Sequence, residues 1–312
     1  MTTPLRILTH LPAAALSRVA AEMPDVELVE VPAEGELPPE AEGSVLLTYA
    51  WGSPNLAQVV SRGVEWIHTI GTGVDRFPFD ALGGRTLTCA RGATAVPIAE
   101  WVLAVMLAFE KRIPGAWITE PPEQWNRFDL GGLAGRSLGL VGLGTIAQAV
   151  ATRALAFDME VHAYRRTATP SPIPGVEVVA ELPDLASRSD HLVVAAAATA
   201  ATRHLVGADV LQAMKPGSHL VNVARGSLVD QDALRDALDA GRIACASLDT
   251  VEPEPLPEGH WMYAHPDVRL SPHISWNEPG AVAQLFDSFL VNLRLWRAGE
   301  PLRHIVDVEL GY

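Results

Sequence analysis

Short runs of apolar residues alternate along the chain with longer stretches in which apolar residues recur at helical spacing. Apolar runs bounded by turn-forming residues are typical of buried strands, and their alternation with helices is typical of parallel α/β domains. A first group of strands is predicted at Arg6–Thr9, Val26–Val31, Ser44–Thr48, Glu65–Thr69 and Thr86–Thr88. A second group is predicted at Ser137–Val141, Val161–Tyr164, Val176–Val179, His191–Ala195, His219–Val223, Ala244–Leu248 and Val268–Ser271.

Two long helices are predicted outside this alternation. The segment Ala95–Glu110 is apolar on all sides, which indicates a buried position between domains or subunits. The segment Gly280–Ala298 is followed by Gly299, and a glycine in this position commonly terminates a helix. Between them, Arg112–Leu133 is rich in proline, tryptophan and glycine, so we interpret it as a linker or an arm that contacts another subunit.

Composition narrows the classes of protein that fit. Of the 312 residues, 48% are hydrophobic and 19% are charged, and the net charge of −14 disfavours nucleic acid or an anionic membrane as the main partner. The sequence has no apolar run of membrane-spanning length and no secretory signal pattern, so we expect a cytoplasmic protein. Cys89 and Cys245 lie in apolar runs and are expected to be buried free thiols, and no metal site is expected.

A glycine-rich turn links one predicted strand to one predicted helix. Gly142 and Gly144 stand between the strand Ser137–Val141 and a helix that begins with Thr145 and Ile146. In a strand–turn–helix unit such glycines permit a tight turn and let the backbone approach a dinucleotide pyrophosphate, which lies on the helix N-terminus. These residues are therefore predicted to bind a nicotinamide dinucleotide.

The residues after the next strand distinguish between the two nicotinamide cofactors. An acidic residue there would bind the ribose 2′-hydroxyl of NAD, but this chain has Arg165 and Arg166. Guanidinium groups bind a 2′-phosphate, whereas a carboxylate repels it. We therefore predict a preference for NADP(H). NAD(H) stays possible if both arginines are ordinary surface charges.

Candidate catalytic side chains follow three successive strands of the second series. They are Arg225, Glu254 and His273, and the carboxyl ends of parallel strands meet at the edge of the sheet where the glycine turn also lies. His273 can donate a proton to a carbonyl oxygen, Glu254 can orient and stabilise its imidazolium, and Arg225 can bind a carboxylate and polarise the carbonyl. This set fits reduction of a 2-keto acid by hydride transfer. Four other histidines at strand or loop edges are assigned structural roles: His68, His191, His204 and His219.

The chain resembles the D-isomer-specific 2-hydroxyacid dehydrogenase family over nearly its whole length. The matching segments are IGTGVD (Ile70–Asp75), VPIAEWVLAVMLA (Val96–Ala108), LGLVGLGTIAQAVA (Leu138–Ala151), MKPGSHLVNVARGSLVD (Met214–Asp230), LDTVEPEPLP (Leu248–Pro257) and SPHIS (Ser271–Ser275). The resemblance implies two Rossmann-like doubly wound α/β domains. A nucleotide-binding domain, residues 98–273, is inserted into a flavodoxin-like substrate domain formed by residues 1–97 and 274–312. It also implies a homodimer.

The resemblance implies roles for individual residues as well. Arg225, Glu254 and His273 occupy the family's catalytic positions. Asp249 matches an acidic residue near the nicotinamide carboxamide, and Ala224, in the VNVARG segment, is included with the cofactor-binding residues. Gly71, Thr72 and Gly73 match the loop whose amides hold the substrate carboxylate.

The substrate pocket is less readable than the cofactor site. Trp51 and Trp276 are candidates to line it, and both could equally be core or dimer aromatics.

With Arg165 in place of the usual acidic residue, the chain resembles the family's NADP-using glyoxylate and hydroxypyruvate reductases. The function expected is thus NADP(H)-preferring reduction of a small 2-keto acid to a D-2-hydroxy acid. The alternatives are an NAD-dependent dehydrogenase of a larger 2-hydroxy acid and a dinucleotide-sensing regulator.

Overall fold

The computed structural model describes residues 4–126, 128–167 and 169–312, apart from the side chains of residues 13 and 14. Contacts between residues divide the chain into two units. Unit 1 comprises Met1–Thr94 and Pro279–Tyr312, and unit 2 comprises Ala95–Glu278.

Unit 1 is built on a parallel five-stranded sheet with the order β2-β1-β3-β4-β5. Its strands are β1 (Leu5–Thr9), β2 (Val26–Glu30), β3 (Val45–Tyr49), β4 (Trp66–Ile70) and β5 (Thr86–Cys89). Its helices are α1 (Ser17–Glu22), α2 (Leu56–Val60) and α8 (Ala281–Ala298), with 3₁₀ turns at Ala13–Leu16 and Phe79–Leu82.

Side chains of successive strand residues alternate between the two faces of this sheet, and both faces are buried. On one face Leu46 and Ile67 pack with Val59 of α2. On the other, Trp66 packs with Phe289 of α8, with their rings stacked 5.6 Å apart. The near-continuous apolar runs in the sequence reflect this burial on both faces. Helix α8 ends at Gly299, whose φ of +69° confirms the predicted terminating glycine.

Unit 2 contains a parallel seven-stranded sheet with the order β12-β11-β10-β9-β6-β7-β8. Its strands are β6 (Ser137–Val141), β7 (Glu160–Tyr164), β8 (Val176–Val179), β9 (His191–Val194), β10 (Ser218–Asn222), β11 (Ile243–Leu248) and β12 (Val268–Leu270). Its helices are α3 (Ala95–Glu110), α4 (Thr145–Ala156), α5 (Leu182–Arg188), α6 (Ala208–Ala213) and α7 (Gln231–Asp239). Short 3₁₀ turns lie at Ala200–Thr202, Gly226–Leu228 and Trp261–Tyr263.

The helices of unit 2 cover both faces of its sheet. Helices α3 and α4 pack on one face, with Val102 and Val150 in the buried cluster, and α5, α6 and α7 supply the other cluster. The strand order reverses between β6 and β9, which makes this the point where a doubly wound sheet opens to a ligand. The predicted fold class, a doubly wound parallel α/β architecture, is confirmed.

Most predicted elements match the structure to within one or two residues at each end. Between β1 and β2, the 3₁₀ turn Ala13–Leu16 leads directly into α1. Cys89 and Cys245 are buried free thiols, as predicted. In the described part of the chain, no helix has the length and apolar character needed to span a bilayer.

Several histidines lie deeper than their predicted positions at strand or loop edges. His68, His191 and His219 are fully buried. His191 Nε2 lies 3.1 Å from Glu110 Oε1, and His219 Nε2 lies 2.9 Å from Ser247 Oγ. His68 Nδ1 lies 2.7 Å from Thr88 Oγ1. His204 is exposed, and its Nδ1 lies 3.6 Å from Asp230 Oδ2.

The buried histidines make acid a destabilising condition. Burial lowers the pKa of His10 to about 4, and burial and then His304 lower that of His68 to about 3. Below its usual pKa near 6.5, each histidine takes up a proton in the unfolded chain but not in the folded one, so stability is lost as the pH falls. Each such group should contribute a slope of about 1.4 kcal/mol per pH unit.

Urea unfolding at a series of values from about pH 7 to about pH 5 measures this slope. We expect the free energy of unfolding to fall throughout that range. His68→Asn should show a shallower dependence, by roughly the slope of one histidine. An unchanged slope in His68→Asn would show that burial does not hold this imidazole neutral.

Candidate active site

The glycine turn between β6 and α4 depends on the absence of a side chain at Gly142. Its φ is +95°, and a Cβ here would lie 2.8 Å from Ala196 Cα and 2.9 Å from Ala196 N. The Gly142 N–H donates to the Tyr164 carbonyl at 2.8 Å, which ties the turn to the end of β7. The glycine thus lets the loops after β6, β7 and β9 converge at one edge of the sheet.

Gly144 has a different role, because a Cβ there would meet nothing within 4 Å. It is the N-cap residue of α4, and no side chain caps the helix. Thr145 and Ile146 form the first turn of α4, and Ala147, fully buried, lets the helix pack closely. Uncapped N–H groups at a helix N-terminus bind anions, so these residues fit a dinucleotide pyrophosphate.

Arg165 and Arg166 follow β7 directly, at the same carboxyl edge as the glycine turn. Arg165 is partly buried, and no described residue forms a hydrogen bond or an ion pair with it, whereas Arg166 is exposed. Arg165 therefore combines a restricted position with an available guanidinium group, as binding of a 2′-phosphate requires.

Arg225 lies three residues beyond the end of β10, after the buried residues Val223 and Ala224. Asn222 holds this turn from below: its side-chain amide donates to the Arg225 carbonyl at 2.9 Å and accepts from the Ala224 N–H at 3.0 Å. The Arg225 guanidinium donates from Nη1 to the Ala224 carbonyl at 2.8 Å. Ala224 belongs to the buried cluster of unit 2, and a contact between this residue and a cofactor stays a prediction.

Glu254 and His273 form the central contact of the site. His273 Nδ1 lies 3.0 Å from Glu254 Oε2, and 39% of the histidine side chain and 26% of the glutamate side chain are exposed. Burial acts to raise the pKa of Glu254, but the His273 hydrogen bond and charge, the Val251 amide and the Arg225 charge lower it below its usual value. The carboxylate is thus ionised and directed at one imidazole nitrogen, which leaves His273 Nε2 for a reacting group.

Asp249 supports the backbone that carries His273. Its carboxylate is buried, and it accepts hydrogen bonds from Ser271 Oγ, the Ile274 N–H (2.9 Å) and the Ser275 N–H (3.0 Å). The Asp249 carbonyl also accepts from the His273 N–H at 2.9 Å. These bonds hold His273 at a φ of +55°, a conformation that few non-glycine residues adopt. A contact between Asp249 and nicotinamide stays a prediction.

The predicted substrate-binding residues of unit 1 lie after β3 and β4, at the carboxyl edge of that sheet. Gly71 has a φ of +153°, and a Cβ there would lie 2.7 Å from Ala50 Cβ. Thr72 Oγ1 donates to the Ala90 carbonyl at 3.5 Å, and Gly73, like Gly71 and Thr72, is partly buried. Trp51 is 61% exposed and stacks on Tyr49 with ring centroids 5.1 Å apart.

Trp276 belongs to the loop of His273. Its indole N–H donates to the His273 carbonyl at 3.0 Å, and its ring packs against the core cluster that contains α3 and α4. This arrangement gives Trp276 a structural role in holding the histidine loop, in addition to its predicted place in the substrate pocket.

The sequence reasoning did not single out Asn222. It is buried at the end of an apolar strand, and its amide braces the Arg225 turn. The available signal in the sequence was that Asn222, a polar residue, interrupts the apolar run that precedes Ala224 and Arg225. No set of three or more metal-binding side chains is clustered within the described ranges.

A glycine turn at the switch point of a doubly wound sheet, with a histidine–carboxylate pair at neighbouring strand ends, defines a Rossmann-type dinucleotide-binding protein. A family model described as "D-isomer specific 2-hydroxyacid dehydrogenase, NAD binding domain" matches residues 103–275. The chain belongs to the D-isomer-specific 2-hydroxyacid dehydrogenase family, as the sequence indicated.

Individual relatives agree with this assignment. The chain is 32% identical over 247 residues to D-3-phosphoglycerate dehydrogenase of Methanocaldococcus jannaschii, covering 76% of this chain but only 47% of that protein. It thus spans about half the length of that relative. It is 30% identical over 247 residues to human glyoxylate reductase/hydroxypyruvate reductase, covering 75% of this chain and 74% of that one.

A solved structure extends the similarity to the whole fold. A D-isomer-specific 2-hydroxyacid dehydrogenase from Xanthobacter autotrophicus Py2, in complex with NADPH and MES, superposes with a TM-score of 0.83 at 26% identity. The superposition covers all of both chains.

Proposed function

We propose that this protein is an NADP(H)-preferring reductase that converts a small 2-keto acid, of the glyoxylate or hydroxypyruvate type, to a D-2-hydroxy acid. The observation that carries the proposal is the 3.0 Å hydrogen bond between His273 and Glu254, which lies at the carboxyl edge of a dinucleotide-binding sheet. Arg225 is close enough to lower the pKa of Glu254 by its charge. A proton donor, its ionised partner and a cation are thus gathered at one edge.

Each side chain then has a distinct task. A reduced nicotinamide held at this edge would supply the hydride for the carbonyl carbon. His273 Nε2 donates a proton to the carbonyl oxygen, and Glu254 stabilises the imidazolium before transfer and keeps Nδ1 protonated. Arg225 binds the substrate carboxylate and polarises the carbonyl. In the oxidative direction His273 accepts the hydroxyl proton instead.

Each unit carries residues that are proposed to bind the substrate. In unit 1 these are the amides of Gly71, Thr72 and Gly73, proposed to bind a carboxylate, and the ring of Trp51; in unit 2 it is the ring of Trp276. The name of the human relative supports a small 2-keto acid. The phosphoglycerate dehydrogenase relative supports the alternative, an NAD-dependent dehydrogenase of a larger 2-hydroxy acid.

The cofactor preference rests on Arg165, and a charge reversal tests it. Arg165→Asp should lower kcat/KM for NADPH by roughly 100-fold, because an attractive contact with the 2′-phosphate becomes a repulsive one. The value for NADH should change far less. Arg166→Asp, on the exposed neighbour, is the matched control and should have a smaller effect. A wild-type enzyme that prefers NADH would refute the proposed preference.

The proton-donor role is tested with a panel of 2-keto acids that includes glyoxylate, hydroxypyruvate and larger substrates. NADPH oxidation should be fastest with the small acids, and His273→Ala should reduce kcat by roughly 100-fold or more. His204→Ala is a matched control, because His204 is also exposed, has a positive φ of 51° and faces a carboxylate. Turnover unchanged in His273→Ala would refute the role. Absence of turnover on every acid would favour the dinucleotide-sensing regulator.

We also propose that the protein forms a homodimer through the arm that follows α3. Trp117 and Trp125 are each 70% exposed there, and such large aromatic surfaces are enriched at interfaces. Sedimentation equilibrium should give the mass of two chains for the wild type and a weaker association for Trp117→Ser/Trp125→Ser. A monomeric wild type at micromolar concentration would contradict the proposal.

A further inference from the structure

The loop that carries Glu254 lies directly against the turn that carries Arg225. A Cβ on Gly226 would lie 2.0 Å from Val251 C and 2.4 Å from Glu252 N, so the two backbones approach more closely than any side chain would allow. Two of the three candidate catalytic residues are therefore placed by one backbone contact, although they are far apart in the sequence.

Gln231 holds the same loop with both ends of its side-chain amide. Its Oε1 accepts from the Glu252 N–H at 3.0 Å, and its Nε2 donates to the Glu252 carbonyl. Gln231 is the first residue of α7, and its own position is secured because the Asp230 side chain caps that helix through the Asp232 and Ala233 N–H groups. One rigidly placed side chain thus satisfies both backbone groups of a single residue.

Two residues of this loop lack the backbone N–H group that could otherwise help to hold it. Pro253 and Pro255 have no N–H to donate. The Val251 N–H donates to Glu254 Oε1 at 3.2 Å, so it serves the carboxylate itself. Glu252 lies between Val251 and Pro253, and its backbone N–H and carbonyl are the groups that Gln231 bonds.

We propose that Gln231 is a positioning residue for the Glu254–His273 pair, which acts by fixing the backbone at Glu252 and so the direction of the Glu254 carboxylate. The proposal rests on the proposed function, since it concerns the geometry of the same catalytic pair. Gln231 touches no reacting group in this arrangement. Its effect should therefore fall on the proton-transfer step and not on cofactor binding.

Three variants test the role. Gln231→Met keeps the length of the side chain and removes both hydrogen bonds. Gln231→Glu keeps an acceptor for the Glu252 N–H and loses the donor. Arg203→Met is the matched control, because it removes the exposed ion pair between Arg203 and the Glu252 side chain at 3.0 Å and leaves the backbone anchor intact.

In Gln231→Met we expect kcat to fall by roughly 10-fold while KM for NADPH changes less than about twofold, a split that marks loss of a group acting mainly in the transition state. The acid limb of the pH profile should move to higher pH, because Glu254 loses the His273 contact, which is the largest of the effects that lower its pKa. Gln231→Glu should retain more activity than Gln231→Met, and Arg203→Met should match the wild type.

A second measurement does not depend on turnover. The ring nitrogens of ¹⁵N-labelled His273 should report a single tautomer with Nδ1 protonated in the wild type, and a mixture in Gln231→Met. A lower melting temperature in Gln231→Met with an unchanged His273 spectrum and pH profile would overturn the proposal in favour of a purely structural role. If the wild type turns over no 2-keto acid, the proposed function fails, and the His273 spectrum still decides the positioning role.

Discussion

The hydrogen bond between His273 and Glu254 requires the carboxyl edge of the larger sheet to hold two separate loops in fixed positions. The two residues come from loops after successive strands, β11 and β12. A carboxylate and an imidazole at 3.0 Å need their backbones held to a fraction of an ångström, and loops alone seldom provide that. Here each partner has its own support: Asp249 bonds the loop of His273, and Gln231 bonds the loop of Glu254. Both supports come from elements packed into the sheet.

The polar groups that serve this pair are themselves nearly all satisfied. Asp249 receives bonds from one hydroxyl and two amides, and Asn222 both donates to and accepts from the turn of Arg225. A buried polar group that lacks partners costs free energy, so a fully bonded network is rigid as well as stable. Such rigidity suits the proton-transfer role proposed for His273.

Elements with strong apolar runs were predictable from the sequence because burial on both faces of a parallel sheet leaves a direct signature. The strand ends then placed Arg225, Glu254 and His273 at one edge without any knowledge of distances. Burial of His68, His191 and His219 was not predictable, since an isolated histidine carries no mark of whether a threonine, a serine or a glutamate faces it. The contact made by Gln231 was not predictable for a similar reason. Its partner is the backbone of Glu252, and backbone contacts between distant segments leave no periodic pattern in the sequence.

The arginines of this chain differ in whether a neighbouring carboxylate already compensates their charge. The chain carries a net charge of −14, so many of its arginines lie beside carboxylates that neutralise them. Arg188 bonds Asp184 at 2.7 Å and Arg203 bonds Glu252 at 3.0 Å. Arg165 is different, because it is partly buried beside the glycine turn and, over the ranges that the structure describes, no carboxylate pairs with it. An anionic ligand entering an acidic protein gains most from a cation whose charge is not already compensated. Arg165 meets that condition at the edge of the sheet where the glycine turn also lies.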